Sequence, residues 1–410
     1  MDEIQGAEMS TYAPDRAVGY PTPAVKGVDE FTKEIFGKLL RADQRRWAEV
    51  YLKGLLSVRG KKSVRNIARC VCQSDQSAAT QSIQQFINQS PWDWTPVRGL
   101  LARYISERSQ VKAWVVKNVI IPKRGRHSVG VAKRFIPEIG RTINCQVGIG
   151  MFLATEVGTL PVDWRLLMSD AWLQDSERQK RARIPSDETG KTVWQHIVDM
   201  AGTLSERWDV PPAPVLTDLY TTSDVLPIVR NLAHDGGEFF VEVNGSMKVV
   251  DTPHLTPVRP GGDINKVSVA STGGTTVRDC VRREMFRGPS VTMGKRTPTL
   301  PGSHQILSTL VRLPTGGGDF RGRASQLHRL FALWPSDREH EPQYWITNIT
   351  QYKTDKILPL AGISAESRSH LRALQSDFGL QDFEGRSFPG WHHHMTLISA
   401  AYAYDRLKGL

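Results

Sequence analysis

The sequence predicts a mixed α/β protein with an all-helical region in front of its sheet. Three observations support this fold class. Apolar residues recur at helical spacing between Phe31 and Ser106, short β-branched runs begin near residue 111, and strand-like and helix-like runs then alternate. Because strands that alternate with helices build mixed or parallel sheets, we expect a mixed sheet after residue 108.

The composition is that of a globular protein and excludes several classes. The chain has 410 residues, 40% of them hydrophobic and 23% charged, which is long enough for two or three domains. No apolar run approaches the ~18 residues of a membrane helix, and the acidic start is unlike a secretory signal. Four cysteines are too few for a disulfide framework, so a cytoplasmic location is expected.

The charge indicates a polyanionic partner. Residues 1–30 hold six acids and two bases, whereas the remaining 380 residues hold 51 bases against 36 acids. A basic body of this size favours nucleic acid first and an anionic membrane second. No basic amphipathic helix of the membrane-surface type stands out, so nucleic acid is the expected partner and a membrane is not.

The first part of the chain is predicted to be a tail followed by helices. Residues 1–27 are rich in Pro, Ala, Gly and acids, which is typical of a flexible acidic tail. Apolar spacing then predicts helices from Phe31 to Leu39, from Trp47 to Leu55, over 64–71 with Ser63 as N-cap, over 78–88 and over 96–106. The third and fourth of these flank a polar break at 73–77 and resemble a helix-turn-helix.

The second part is predicted to contain the sheet. Short apolar runs predict strands at 114–121, 145–155, 215–220, 238–243, 306–313, 327–334 and 344–349. Amphipathic spacing predicts helices at 192–208, 223–234, 364–376 and 393–407. Residues 245–303 lose helical periodicity and are rich in Gly, Pro, Thr and Arg, so we expect a basic inserted loop or β-rich segment there.

Basic and amide side chains form the candidate nucleic-acid site. The run 122–128 follows a predicted strand and supplies Lys123, Arg124, Arg126 and His127, which suit phosphate contact. On the predicted helix 78–88, Gln81 and Gln84, together with Thr80 and Gln85, could read bases in the major groove. Cations just before that unit, Lys61, Lys62 and Arg65, would anchor phosphates.

Other motifs favour ordinary structural roles. The histidines at 392–394 are adjacent, so on a helix they point in different directions and cannot all bind one metal. Cys70 and Cys72 lack the spacing of a zinc site. The run of three glycines at 316–318 lacks the Lys-Ser/Thr of a phosphate loop. We therefore expect no metal site.

Several short blocks resemble, in order, the DDE-type insertion-sequence transposases of the 701 group, within the DDE endonuclease superfamily. They lie at 44–56, 90–94, 122–131, 144–146, 172–185, 215–220 and 379–392, and the resemblance covers roughly residues 30–405. It implies an RNase H-like mixed-sheet core at 109–385, with the basic insertion at about 245–303. A helical DNA-binding domain at 28–108 would precede this core, and a C-terminal helix at 386–410 would close it.

The resemblance also implies a catalytic site, which this chain does not match. Such enzymes use two Asp and one Glu to hold two Mg²⁺ ions. The family strand that ends in Asp-Asp-Thr corresponds here to Lys117-Asn118-Val119, the second Asp is Asp218, and the Glu position is Arg368. These three positions carry +1 instead of −3, which predicts a vestigial site with no intact catalytic residues and no cofactor.

Alternatives remain open for both the site and the function. The strand at 114–121 holds no acid that could replace the first Asp, whereas candidate replacements for the other carboxylates are Asp224, Glu366, Asp377 and Glu384. If the site is inactive, Lys117 and Arg368 could contact DNA phosphates directly. Two losses at separate places favour the inactive site over an active transposase that uses Mg²⁺.

The predicted function follows from the resemblance and from the missing carboxylates. We expect a transposase-derived pseudoenzyme that binds double-stranded DNA sequence-specifically, regulates transcription and resides at the nucleoid. The alternatives are an active Mg²⁺-dependent DDE transposase, or a non-catalytic partner or inhibitor of an intact transposase. A homodimer is expected of a protein that reads paired DNA sites, although no coiled-coil heptad supports one.

Overall fold

The structure is a computed structural model that describes residues 27–71, 76–218, 225–234, 236–251, 274–287, 291–294, 304–314, 326–335 and 342–409. The predicted acidic tail lies outside these residues except for Gly27. The helices in the described part are α1 Val28–Phe36, α2 Ala42–Ser57, α3 Val64–Val71, α4 Gln76–Asn88, α5 Trp94–Arg108, α6 Asp170–Leu173, α7 Ser176–Ala182, α8 Val193–Gly202, α9 Val225–His234, α10 Val277–Arg287, α11 Thr354–Asp377 and α12 Phe388–Leu407.

The strands in the described part are β1 Ala113–Pro122, β2 Ala132–Ile136, β3 Arg141–Thr155, β4 Gly158–Leu166, β5 Val215–Thr217, β6 Phe239–Val243, β7 Lys248–Asp251, β8 Thr275–Thr276, β9 Val291–Gly294, β10 His304–Arg312, β11 Leu327–Pro335 and β12 Gln343–Thr347. They pair in the order β2-β3-β1-β5-β6-β12-β11-β10-β7-β8, with β4 beside β3 and β9 beside β10. The predicted mixed α/β class is confirmed.

The centre of the sheet has the strand directions that an RNase H-like core requires. β1 is antiparallel to β3 and parallel to β5, and β5 is parallel to β6. β1 is apolar and buried along most of its length, as expected of a strand covered on both faces. With β4 on the far side of β3, the order β4-β3-β1-β5-β6 is consistent with an RNase H-like core.

An antiparallel extension continues the sheet beyond β6. β12 pairs with β6, β11 with β12, and β10 with β11, all antiparallel. The expected loss of helical periodicity at 245–303 is wrong at α10. Its buried residues, Val277, Cys280 and Val281, are spaced for one helix face, but the surrounding Arg-rich sequence hid the pattern.

Two strands of the core were not predicted. β4 carries Pro161 and Asp163 in its middle, which interrupt the apolar pattern, yet the strand is buried because it packs against helices. The register between β3 and β4 shifts between Met151 and Phe152, because Val162 of β4 is the extra residue of a bulge. β2 alternates exposed and less exposed residues, and it is short.

The helices at both ends of the chain share one hydrophobic core with the sheet. This core extends from Phe31 on α1 to Leu407 on α12. α12 is buried on all sides, from Phe388 through Ala403 except at Pro389, because it packs against α2, α4, α5 and β4. The division at residue 108 remains a sequence prediction.

α3 and α4 form over the predicted residues. The backbone N–H of Asn66 donates to Ser63 Oγ at 3.2 Å, which confirms the predicted N-cap. Residues 72–75, which include most of the connection between the two helices, lie outside the described part of the chain. The helix-turn-helix therefore remains a prediction.

Candidate functional site

Strand register brings three charged residues into one row at the centre of the sheet. Val116 on β1, Thr217 on β5 and Val241 on β6 lie side by side in parallel pairing. The residues that follow them in the chain are Lys117 on β1, Asp218 directly after β5, and Glu242 on β6. Since neighbouring residues on parallel strands point to the same face, these three side chains meet beneath α11.

α11 adds Arg368 to this row and completes a charge-paired pocket of two cations and two carboxylates. Lys117 Nζ lies 2.6 Å from Asp218 Oδ2 and donates also to Ser364 O at 3.3 Å. Arg368 Nε lies 3.0 Å from Asp218 Oδ2, and its Nη2 lies 2.9 Å from Glu242 Oε2. The structure thus brings together the three positions Lys117, Asp218 and Arg368.

The two cations of the pocket differ in burial, because Lys117 is enclosed whereas Arg368 is partly exposed. Lys117 is only 3% exposed, and burial lowers the pKa of its ammonium, although Asp218 raises it. Burial raises the pKa of Glu242 to about 7, against the opposing effect of the Arg368 guanidinium. The side chain of Arg368 remains 35% exposed, so solvent reaches the pocket from the α11 side.

The residues present do not fit the Mg²⁺ ions of DDE chemistry. Mg²⁺ requires oxygen ligands, but one of the two carboxylate oxygens of Asp218, Oδ2, is in contact with both Lys117 and Arg368. In the described part of the chain, no group of three or more His, Cys, Asp or Glu side chains could hold a metal ion. The cations instead neutralise the two carboxylates.

Lys117 does not have the access that direct phosphate contact requires. Its ammonium is enclosed by Asp218 and Ser364, so the hypothesis that it binds DNA phosphate is wrong for this residue. Candidate replacement acids are elsewhere: Glu366 pairs with His370, and Glu384 pairs with Lys61. Asp224 lies outside the described residues.

Two predicted phosphate contacts need correction. Lys62 is 4% exposed, and its ammonium donates to the carbonyl oxygens of Leu55, at 2.7 Å, and of Val58. Lys123 is half-buried, and its ammonium donates to Phe383 O at 2.6 Å. Burial lowers the pKa of both lysines. These two ammonium groups stabilise the fold instead of facing a ligand.

The other predicted nucleic-acid contacts lie on the surface. The exposed side chains are Lys61, Arg65, Gln81, Gln84, Arg124, Arg126 and His127. Lys61 pairs with Glu384, and it lies close enough to Arg124 to be affected by its charge. Arg178 donates to Arg126 O at 3.2 Å and so supports the basic loop. Lys61 and the basic loop therefore lie close together.

The three histidines of α12 belong to the core. His393 stacks on Trp92 with ring centroids 3.8 Å apart, and its two ring nitrogens lie 2.8 Å from the carbonyl oxygens of Ile87 and Trp92. His392 stacks on Trp94 at 4.5 Å. Burial lowers the pKa of His393 to about 4. The three rings therefore serve as packing groups between α12 and the helices beside it.

Sequence reasoning missed Glu242. Its carboxylate becomes part of the pocket only because β6 pairs in register with β5, and nothing local in the run 239–243 indicates that pairing. The weak available signal was an acid inside an otherwise apolar strand. An unpaired carboxylate is costly there, so its presence indicates a cationic partner.

The strand order and the charged row at the carboxyl end of β5 are consistent with the class of RNase H-like nucleases and transposases. The chain belongs to the DDE superfamily endonuclease family, whose sequence profile matches residues 34–263. The match includes Lys117, Asp218 and Glu242 and ends before Arg368. No curated protein matches the chain.

Family membership implies a nucleic-acid partner and a transposase-related origin. The predicted membership of the DDE superfamily is thereby confirmed. None of the helices in the described part of the chain combines the length and apolar composition that a bilayer crossing requires.

Proposed function

We propose that this protein is a transposase-derived pseudoenzyme of the 701 group that binds double-stranded DNA sequence-specifically, without metal, and regulates transcription. The observation that carries this proposal is the contact between Lys117 Nζ and Asp218 Oδ2, 2.6 Å, at the position where the resemblance requires paired acids. Arg368 completes the replacement at 3.0 Å from the same oxygen.

Electrostatics supports the loss of catalysis. A Mg²⁺ ion beside Asp218 would be repelled by Lys117 and by Arg368. At 4 Å and an effective dielectric constant of about 20, each unit charge contributes about 4 kcal/mol, which is doubled for a divalent ion. Displacing either cation would also leave a buried charge without its partner. Metal-dependent strand cleavage therefore has no support in this pocket.

The surface supports the retention of DNA binding. Lys61, Arg124 and Arg126 expose their side chains, and the excess of +15 outside residues 1–30 favours a polyanion. On α4, Gln81 and Gln84 are exposed, so their amides are free of the core and suited to bidentate contact with adenine. Sequence readout is assigned to this helix as part of the proposal.

The test is a titration of the full chain on labelled DNA from around its own gene, with Mg²⁺ or with EDTA, over a salt series. We expect site-preferring binding that is equal in Mg²⁺ and EDTA, with uncut strands on a denaturing gel. Affinity should fall steeply with salt because several phosphate contacts release counterions. Mg²⁺-dependent nicking that Asp218→Ala abolishes would establish the active transposase instead.

The same titration also tests the alternative that the protein is a non-catalytic partner or inhibitor of an intact transposase. Binding without any site preference, together with a complex formed with an intact transposase, would establish the partner or inhibitor. Gln81→Ala with Gln84→Ala should lose site preference and keep the salt dependence, while Lys61→Ala should weaken binding to all sequences. The glutamine variant thus reports on sequence preference, and the lysine variant reports on general affinity for DNA, so each serves as a control for the other.

A further inference from the structure

A two-stranded ribbon projects beyond the central sheet. β2 pairs with β3 from Ala132 opposite Cys145 to Ile136 opposite Arg141. β1 ends at Pro122, which lies opposite the same Cys145 on the other side of β3. Residues 133–144 therefore extend past the end of β1 as a hairpin with strand pairing on one side only.

The end of this ribbon exposes apolar side chains. Phe135 is 62% exposed and Ile139, in the turn, is 49% exposed. Gly140 closes the turn with φ +61°, a left-handed conformation that favours glycine. The opposite face of the ribbon is packed, because Ile136 contributes to a small cluster with Cys145. Phe135 is thus held on the solvent side by strand alternation.

The ribbon is also basic. Residues 132–141 contain Lys133, Arg134 and Arg141 against a single acid. The ribbon begins beside the basic loop 123–127, since Lys123 N donates to Asn144 O at 2.9 Å. A DNA duplex has anionic phosphates on the outside and stacked, apolar base faces inside. A basic surface with exposed apolar side chains is therefore complementary to DNA.

We propose that the ribbon 132–144 is a DNA-binding arm that enters a groove of the duplex and bends it with Phe135 and Ile139 as wedges between base steps. This inference rests on the proposed DNA-binding function and adds the contacting element and the deformation. A two-stranded β-ribbon fits a DNA groove, and apolar wedges bend duplexes by partial unstacking.

A second copy of the chain fits this surface less well than DNA. A two-fold symmetric contact between two ribbons would bring Lys133 and Arg141 of one copy close to those of its partner. Like charges in such a contact repel, whereas DNA phosphates attract both residues. The self-association of two ribbons is therefore one of the outcomes that the test must distinguish.

The test uses a double variant that combines Phe135→Ser and Ile139→Ser. It is compared with the wild type and with a control variant, Phe286→Ser. Phe286 is a matched control because it is 91% exposed on the Arg-rich helix α10. A duplex with fluorophores at both ends reports bending by energy transfer, and a parallel titration reports affinity. We expect the wild type and the control to bend the duplex, and the double variant to bind roughly tenfold more weakly without bending it.

Every outcome decides the proposal. A double variant that bends the duplex like the wild type, or a wild type that binds without bending, overturns the arm and leaves the proposed function intact. A wild type that binds no DNA overturns both. A dimeric wild type that becomes monomeric in the double variant, with bending unchanged, assigns the ribbon to self-association. If the double variant does not fold, Lys133→Ala replaces it, and an unchanged salt slope and bend overturn the arm.

Discussion

Arg98 and Lys117 are both buried cations, but their surroundings differ. Arg98 on α5 pairs with Asp163 on β4 at 2.9 Å, with both side chains 1% exposed, and donates to Thr396 Oγ1 and His392 O on α12. It therefore joins three elements, which we call the helix–sheet joint. Lys117 belongs to the charge-paired pocket, where Arg368 is partly exposed. The joint is a closed structural contact, whereas the pocket remains partly open to solvent.

Buried charge has two uses in this fold. In the joint, the donors of a guanidinium are matched by acceptors from β4 and α12, so removing it would disconnect packed elements. In the pocket, the cations do what metal ions do in a DDE endonuclease, which is to cancel the charge of the carboxylates. The two regions should respond differently to pH and to substitution.

The largest expected effect is acid unfolding caused by the two buried histidines that follow His392 of the joint on α12. Burial lowers the pKa of His393 to about 4 and of His394 to about 3, so the folded chain binds fewer protons than the unfolded chain below pH 6.5. The contribution of the two neutral histidines to stability is fully present above pH 6.5. As the pH falls to 4, the free energy of unfolding decreases by about 3 kcal/mol for each histidine.

Circular dichroism against pH should show cooperative unfolding between about pH 6 and pH 4, the window that these pKa shifts define. His394→Gln keeps a polar group near Tyr51 and Gly379, and it should move the midpoint to lower pH. A wild type that stays folded below pH 4 would contradict this prediction. An unfolding midpoint that is the same in the wild type and in His394→Gln would also contradict it.

Arg98→Met should produce the next largest effect. Removing one partner of a buried ion pair leaves Asp163 without its main counter-charge, which costs about 3–5 kcal/mol of unfolding free energy. Arg165 Nη1 is 2.9 Å from the same Asp163 oxygen and offsets part of the loss. Urea denaturation of Arg98→Met and of the surface control Lys61→Met measures the difference, and equal stabilities would show that the joint is not a stabilising contact.

Asp218→Asn distinguishes the charge-paired pocket from a metal site by the sign of its effect on the free energy of unfolding. Here the substitution leaves Lys117 buried without its carboxylate, so the free energy of unfolding should decrease by about 3–5 kcal/mol. In a metal-free site of three carboxylates, the same change would relieve repulsion and stabilise the fold. Adding Lys117→Met should recover most of the loss, and a stabilising Asp218→Asn would contradict the charge pairing.

Glu242→Gln should produce the smallest effect, with a pH dependence opposite to that of the two α12 histidines. Burial raises the pKa of Glu242 to about 7 from 4.5, so its contribution is present below about pH 4.5 and is lost as pH rises through about 7. By pH 7 this loss is about 3 kcal/mol.

Denaturant titrations of the wild type and Glu242→Gln at several pH values should give stability curves that diverge between pH 4.5 and pH 7. The difference between the two curves isolates this carboxyl from the histidines, which titrate in both proteins. Parallel curves over this range would mean that Arg368 keeps Glu242 ionised throughout, and the raised pKa would be wrong.

Local patterns predicted most elements of this fold. The apolar runs of β1 and the spacing of α5 depend on neighbouring residues, so the sequence contains the signal directly. β4 and α10 were missed because Pro161 and Asp163 interrupt the strand pattern and because arginines dominate the helix. The burial of these two elements depends on packing partners that are distant in sequence.

The candidate site was predictable only in part. The positions Lys117, Asp218 and Arg368 came from the resemblance, and the structure brings them together. Their mutual pairing and the role of Glu242 depend on strand register, which one sequence does not contain. Lys62 was placed on the surface by its charge, but the turn after α2 encloses it with backbone carbonyls.

The most direct test of the central claim is calorimetric titration of the full chain with Mg²⁺, in parallel with the variant that carries Lys117→Asp and Arg368→Glu. Because cations neutralise Asp218 and Glu242, we expect no heat of binding in the wild type. The variant, which again gathers acids around Asp218, should bind the ion. Stoichiometric Mg²⁺ binding by the wild type, abolished by Asp218→Asn, would contradict the account and restore a metal-dependent endonuclease.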